Sequence, residues 1–267
     1  MISSLFAADQ GSGSKTIVLL HGFGGCHDVW REVILSLSPP ARTLAYDLPG
    51  HGLSLDVPGA GSAKVAARAL LADLSTRALK RVHLVGHSMG GAVAVLMALA
   101  EPEKVASLTL LAPGGFGPEI NGSLLRRYAG ARSPSEIRAC LADMSGPRAR
   151  SFDHTADILC EMRKRPGQLE KLVEIAAAMT RDDRQGVIPR DQLDRLTMPV
   201  MVVWGSDDAV LPFTQADDLP ARFHLHHVLE AGHMLIEEAP DLVAGIIQRN
   251  MNRRARPVRP KLAAATG

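Results

Sequence analysis

The chain has 267 residues, of which 46% are hydrophobic and 22% charged, and its formal net charge is +2. This is an ordinary globular composition, and the length fits one large domain with an insertion. A core of that size needs neither a disulfide nor a metal ion for its stability. The three cysteines form no Cys-x-x-Cys motif and no zinc spacing, so we expect reduced, mostly buried thiols.

The two ends of the chain and its composition indicate where the protein is located and which partners it has. The first residues lack the basic and apolar regions of a signal peptide, and the longest apolar stretch, 91–100, is shorter than the roughly 20 residues that cross a bilayer. We therefore expect a cytoplasmic protein with no membrane partner. After Asn250 the chain has five basic residues and no acid, which predicts a disordered basic tail over 251–267. With only 4% aromatic residues, we expect no nucleic-acid partner.

Apolar stretches of strand length alternate with stretches of helical period. This alternation is typical of a mostly parallel sheet covered by helices on both faces, so the predicted fold class is α/β. The predicted strands are 16–21, 43–47, 81–86, 105–111, 199–204 and 223–229. The predicted helices are 28–37, 62–78, 92–100 and 240–248.

The strand pattern is interrupted between 117 and 190, where charged sequence of helical period takes over. This segment is too long for a loop and predicts an inserted helical cap. The predicted organisation is a core formed by 1–116 and 191–250, a cap at 117–190 and the basic tail. The cap carries more basic than acidic residues, which suits either an acidic ligand or a solvated helical face.

The pentapeptide GHSMG at 86–90 lies between a predicted strand and a predicted helix. In this setting a Gly-x-Ser-x-Gly motif forces the serine backbone into a sharp turn and exposes its hydroxyl above the sheet. The N-terminus of the following helix favours negative charge that develops there. We therefore predict that Ser88 is a nucleophile.

A serine hydroxyl needs a base, and the base needs an acid that orients it. In this architecture the three residues follow in the order serine, acid, histidine. His233 comes just after the last predicted strand and is the predicted base. Asp208, which follows the preceding strand, is the preferred acid, and its neighbour Asp207 is the competitor.

The same chemistry requires two donors for an oxyanion. The predicted donors are the backbone N–H groups of Met89, directly after the nucleophile, and of Phe23, in the glycine-rich turn after the first strand.

Other histidines and Cys26 have structural interpretations. We expect His21, His51 and His87 to hydrogen-bond nearby backbone. The histidines at 224, 226 and 227 have no carboxylate at ligand spacing, so we expect no metal site and instead an exposed sheet edge. Because no nucleotide-binding glycine motif follows the first strand, we expect no cofactor. Cys26 is interpreted as a small buried residue.

Five motifs together resemble the α/β-hydrolase superfamily. They are HGFGG at 21–25, DLPGHGLS at 47–54, GHSMGG at 86–91, WGSDD at 204–208 and GH at 232–233. A closer likeness, at 111–122 and 232–234, is to the hydrolase-fold acyltransferase domain of acetoin dehydrogenase complexes. The resemblance implies an α/β-hydrolase fold and, in the closer case, transfer of an acyl group to a lipoyl thiol. We expect no lipoyl-bearing domain within this chain.

The predicted function is hydrolysis of a small carboxylic ester, thioester or lactone through an acyl-enzyme on Ser88. The predicted partner is therefore a small-molecule acyl substrate. Acyl transfer to a lipoyl-type thiol and hydrolysis of a carbon–carbon bond stay open as alternatives, as does a non-catalytic module that binds a ligand. A homo-oligomer is compatible with the sequence.

Overall fold

A seven-stranded sheet forms the centre of the molecule in the computed structural model, which describes residues 4–37 and 41–253. Its strands lie in the order β1-β3-β2-β4-β5-β6-β7. They are β1 (Ala7–Gln10), β2 (Lys15–Leu20), β3 (Ala41–Tyr46), β4 (Val82–His87), β5 (Val105–Leu111), β6 (Val200–Gly205) and β7 (His224–Val228). The predicted α/β class is confirmed.

All neighbouring strands are parallel except β1, which pairs antiparallel with β3 at one edge. Every residue of β4 and β6 is buried, as expected for parallel strands with helices on both faces. Strand β1 was not predicted, because its four residues, AADQ, contain no apolar run. The six predicted strands are observed, and no end differs from its prediction by more than two residues.

Ten α-helices accompany this sheet in the described residues. Those of the core are α1 (Arg31–Leu35), α2 (Ala63–Thr76), α3 (Met89–Ala100), α9 (Leu235–Glu238) and α10 (Pro240–Met251). Those inserted between β5 and β6 are α4 (Gly122–Gly130), α5 (Pro134–Asp143), α6 (Asp153–Arg163), α7 (Gln168–Met179) and α8 (Arg190–Leu193). The helix predicted at 28–37 is a 3-10 turn, His27–Trp30, followed by the short α1.

Buried side-chain hydrogen bonds join helices α10 and α7 to the rest of the fold. The side chain of Asn250 in α10 donates to the carbonyl of Leu108 and the hydroxyl of Thr109 in β5, at 2.9 and 3.0 Å. Gln168, at the start of α7, donates to the carbonyl of Gly50 at 2.9 Å and accepts the N–H of Gly52 at 2.8 Å. The inserted helices are thereby tied to the turn that follows β3.

The described part of the chain contains no helix that combines the length and the apolar character required to cross a membrane. All three cysteines are buried and unpaired, as predicted. Helix α10 extends to Met251, and the predicted basic tail lies, from residue 254 onward, outside the described residues.

Candidate active site

Ser88 occupies the turn between β4 and α3 with a backbone φ of 51° and ψ of −117°. A positive φ is rare for a residue with a side chain and costs about 1–3 kcal/mol, so the surrounding packing must hold it. Tight contacts supply that packing. A Cβ on Gly86 would lie 2.3 Å from the carbonyl oxygen of Gly90, and one on Gly90 would lie 2.3 Å from that of Leu20. Both positions therefore require glycine.

Asp208 and His233 form a buried pair beside this turn. The Nδ1 atom of His233 lies 2.9 Å from Oδ2 of Asp208, and the side chains are 3% and 0% exposed. Three further N–H groups donate to the same carboxylate, from the Trp204 indole at 3.1 Å and from the backbone of Val210 and Leu211 at 2.9 and 2.8 Å. These contacts fix the carboxylate, which holds the imidazole ring in one orientation.

Asp207 faces away from the imidazole. It is exposed, its carboxylate accepts a hydrogen bond from the Ser206 hydroxyl at 2.6 Å, and its N–H donates to the carbonyl of Ala231 at 2.9 Å. The structure therefore brings Asp208, and not Asp207, to His233.

The loop that carries His233 is held from several sides. The Glu238 carboxylate accepts the N–H groups of Gly232, Met234 and Gly146 at 2.9–3.1 Å. The N–H of His233 donates to the carbonyl of Met144 at 2.8 Å. Sequence reasoning missed Glu238, because a lone carboxylate near a helix start carries no signal of a long-range contact.

His87, at the end of β4, contacts the same loop. Its Nε2 donates to the carbonyl oxygen of His233 at 2.8 Å. Burial, together with the neighbouring His233 ring, lowers the pKa of His87 to about 3, so the ring is neutral at physiological pH. His87 thus has the structural contact that was predicted for it.

The backbone N–H groups of Phe23 and Met89, the two predicted oxyanion donors, are both free to donate a hydrogen bond to a bound molecule. Met89 is the first residue of α3, so its N–H has no intrahelical acceptor, and the N–H of Phe23 makes no hydrogen bond within the described ranges. The turn that holds Phe23 is fixed by His51, whose Nε2 accepts the Gly24 N–H at 3.2 Å. A Cβ on Gly22 would lie 3.2 Å from the Ser88 Cβ, so this turn passes close to the serine.

Two cavities meet at Ser88. In the smaller one, the centre of a water-sized group can occupy about 30 Å³, and its wall includes Phe23, Leu125, His233 and Glu237. The larger one offers about 680 Å³ between α3 and the inserted helices. Two exposed arginines, Arg181 and Arg184, are among the residues that line it. No hydrogen bond joins the Ser88 hydroxyl to His233 in the described structure, although both line the smaller cavity.

Three potential metal ligands converge elsewhere, at Cys26, His27 and Asp47, with ligand atoms within 4.8 Å of one another. The Asp47 carboxylate already accepts the N–H of His27 at 2.6 Å and that of Leu53 at 2.8 Å. Burial raises the pKa of the Cys26 thiol to about 12. The hydrogen bonds to Asp47 fix the turns around β3.

The histidine cluster of the sequence lies on the edge strand β7. The His227 ring is exposed and stacks on Phe213 with centroids 4.0 Å apart, and His224 contacts Arg253. The group of three potential metal ligands found among the described residues does not include these histidines.

Residues 17–246 match the alpha/beta hydrolase family, and the chain belongs to that family. It is an enzyme of the α/β-hydrolase fold. Its predicted resemblance, in both the broad and the closer form, is thereby confirmed.

Among its relatives is the dihydrolipoyllysine-residue acetyltransferase component of the acetoin cleaving system from Pseudomonas putida, 35% identical over 87% of this chain. The chain spans only 62% of that relative's length. A 2-hydroxy-6-oxononadienedioate/2-hydroxy-6-oxononatrienedioate hydrolase from Cupriavidus pinatubonensis is 31% identical, over 76% of this chain and 74% of that protein. The solved meta-cleavage product hydrolase from Pseudomonas fluorescens IP01 has the same fold, with a TM-score of 0.80 at 21% identity over 93% of this chain and 94% of its own.

Gly90→Ala is expected to lower the free energy of unfolding by about 1–3 kcal/mol, because the added methyl group would collide with backbone oxygens that cannot rotate away. Urea denaturation measures the change. Gly130→Ala is the matched control, since no atom lies within 4 Å of its Cβ position, and its effect should stay below about 1 kcal/mol. Equal stabilities would contradict the close approach of α3 to β2.

Proposed function

We propose that this protein is a serine hydrolase that cleaves a small carboxylic ester, thioester or lactone through an acyl-enzyme on Ser88. One observation carries the proposal. Ser88 is held in a strained turn at a helix N-terminus, and its hydroxyl shares a cavity with the imidazole that Asp208 orients. Strained backbone of this kind clusters at sites of chemistry.

The residues have distinct roles in the proposed reaction. His233 Nε2 accepts the Ser88 proton while the serine oxygen attacks the acyl carbon, and Asp208 stabilises the imidazolium that forms. The Phe23 and Met89 N–H groups donate to the oxyanion, each contributing about 3 kcal/mol to the transition state. The imidazolium then gives its proton to the leaving group, and water, activated by His233, releases the acid.

The sizes of the two cavities support a short acyl group. A single water molecule needs at least about 10–15 Å³ of such space, so the 30 Å³ cavity accommodates roughly two or three heavy atoms. The 680 Å³ cavity on the other side of Ser88 accommodates a much longer leaving group or acceptor. An acetyl-sized acyl chain fits the smaller side.

Transfer to a thiol is the first alternative. It is supported by the name of the 35% identical relative, an acetyltransferase component that acts on dihydrolipoyllysine residues, and by a cavity wide enough for an extended arm. The second alternative, carbon–carbon bond hydrolysis, is supported by the 31% identical relative that is named for such a dienedioate substrate.

Ser88→Ala is expected to reduce turnover of a p-nitrophenyl acetate test substrate about a millionfold, because no other side chain in the turn between β4 and α3 carries a hydroxyl. A fluorophosphonate probe should label the wild type and spare the variant. Equal unfolding midpoints in urea establish that the fold is unchanged. A folded wild-type protein that the probe does not label would instead favour a non-catalytic binding module.

Asp208→Asn is expected to lower kcat about 10⁴-fold, since an amide favours the wrong tautomer of His233. Asp207→Asn is the matched control and should leave kcat close to the wild-type value, because this carboxylate is exposed and contacts Ser206. Steady-state kinetics of both variants decide which of the two aspartates orients His233. A larger loss in the Asp207 variant would overturn it.

The acceptor is tested by incubating the enzyme with acetyl-CoA or an aryl acetate, with and without dihydrolipoamide. Free acetate is expected as the main product in both cases, because water has access to the acyl-enzyme through the larger cavity. Acetyl-dihydrolipoamide that forms faster than acetate would establish the transferase alternative. Faster cleavage of a 2-hydroxy-6-oxo-dienedioate than of any ester would establish the carbon–carbon alternative.

A further inference from the structure

Glu237 places a carboxyl group in the wall of the smaller cavity, together with Ser88 and His233. Its Oε2 atom is inaccessible to solvent and has no hydrogen-bond partner among the residues the structure describes. Buried polar atoms without partners are rare in folded proteins, and each one calls for a functional or structural explanation. No hydrogen bond within the described residues accounts for this one.

The other polar side chains of that wall already have partners. The Tyr128 hydroxyl donates to the carbonyl of Gly24 at 3.3 Å, and His87 Nε2 donates to the carbonyl of His233 at 2.8 Å. Within the described wall, this leaves the Ser88 hydroxyl, His233 Nε2 and the Glu237 carboxyl to meet a substrate. The first two perform the proposed chemistry, and Glu237 belongs to the wall of the space left for the acyl group.

The surroundings of Glu237 favour its neutral form. Much of the cavity wall is apolar and includes Val29, Leu125, Met144, Leu159 and Ile236. Burial, with a smaller contribution from the adjacent Glu238, raises the pKa of Glu237 to about 8. At neutral pH the group is therefore mostly a carboxylic acid, whose O–H can donate a hydrogen bond.

The ionisable groups near Glu237 also favour its protonated form or leave it unchanged. Burial raises the pKa of Tyr128, on α4, to about 12, and lowers that of His87, at the end of β4, to about 3, so both are neutral. The Glu238 carboxylate on the same helix disfavours a second negative charge. His233, on the loop before α9, is oriented toward Asp208 through its Nδ1.

We propose that Glu237 is a specificity residue of the acyl site, which donates a hydrogen bond to an oxygen atom on the acyl chain of the substrate. The preferred substrates are then short 2-hydroxyacyl or 2-oxoacyl esters or thioesters rather than plain alkanoyl ones. This inference rests on the proposed function, because it assumes that the smaller cavity holds the acyl group. A site that hydrogen-bonds a substrate oxygen discriminates strongly against the analogue that lacks it.

The test compares the p-nitrophenyl esters of hydroxyacetic and propionic acid, which differ only in a terminal OH or CH₃. The ratio of their kcat/KM values, corrected for their rates in buffer, should favour hydroxyacetate by roughly tenfold or more in the wild type. Glu237→Gln keeps an N–H donor and should retain most of this preference. Glu237→Met keeps the chain length without a donor and should reverse it.

The pH dependence of that ratio supplies a second readout. In the wild type the preference should fall as the pH rises through about 8, because the ionised carboxylate cannot donate and repels the substrate oxygen. In Glu237→Gln the ratio should not change with pH. A role of Glu237 in packing alone would leave both ratios equal and independent of pH.

The inference about Glu237 can also be tested if the wild-type protein shows no turnover of these esters. Fluorophosphonate labelling of Ser88 reports on the proposed function separately. Binding of hydroxyacetamide and propionamide to the Ser88→Ala protein, followed by NMR shifts, reports on Glu237 alone. Tighter binding of hydroxyacetamide that is lost in the Ser88→Ala, Glu237→Met double variant supports the inference. Equal binding of the two amides, or equal kcat/KM ratios in the wild type and Glu237→Met, overturns it.

Discussion

The backbone conformation of Ser88 is the constraint on which the site depends. Its positive φ turns the chain sharply from β4 into α3, and this turn requires α3 to pass within contact of the end of β2. Only glycines at 86 and 90 leave room for that approach. The same geometry exposes the first N–H groups of α3, so the strained turn that presents the Ser88 hydroxyl also presents one donor of the proposed oxyanion hole.

The opposite side of the site depends on contacts that span the whole chain. Glu238 and Met144 hold the loop of His233, and His87 contacts the loop from the end of β4, directly before Ser88. The inserted helices therefore do more than cover the cavity, because the carbonyl of Met144, just after α5, anchors the backbone of the proposed base. The fixed loop then leaves a narrow space on one side of Ser88 and a wide one on the other.

Much of the fold was predictable because parallel strands buried on both faces must be apolar throughout. Strands such as Val200–Gly205 therefore stand out as uninterrupted hydrophobic runs. Strand Ala7–Gln10 escaped prediction for the opposite reason, since an edge strand that is partly exposed needs no such run. The helix predicted at 28–37 has the right location, but its first turn is 3-10, because local periodicity does not distinguish the two helix types.

The sequence by itself identified Ser88, His233 and Asp208 as candidates, because a strand–turn–helix motif and a fixed chain order impose strict local requirements. Between Asp208 and Asp207 the sequence offered only a preference. The tertiary structure brings one carboxylate to the imidazole and leaves the other exposed, a difference of side-chain direction that adjacent positions in a turn do not encode. The Glu237 carboxyl, whose Oε2 has no hydrogen-bond partner among the described residues, was not foreseen for the same physical reason. Its burial and its place beside Ser88 result from chain segments far apart in sequence that pack around one cavity.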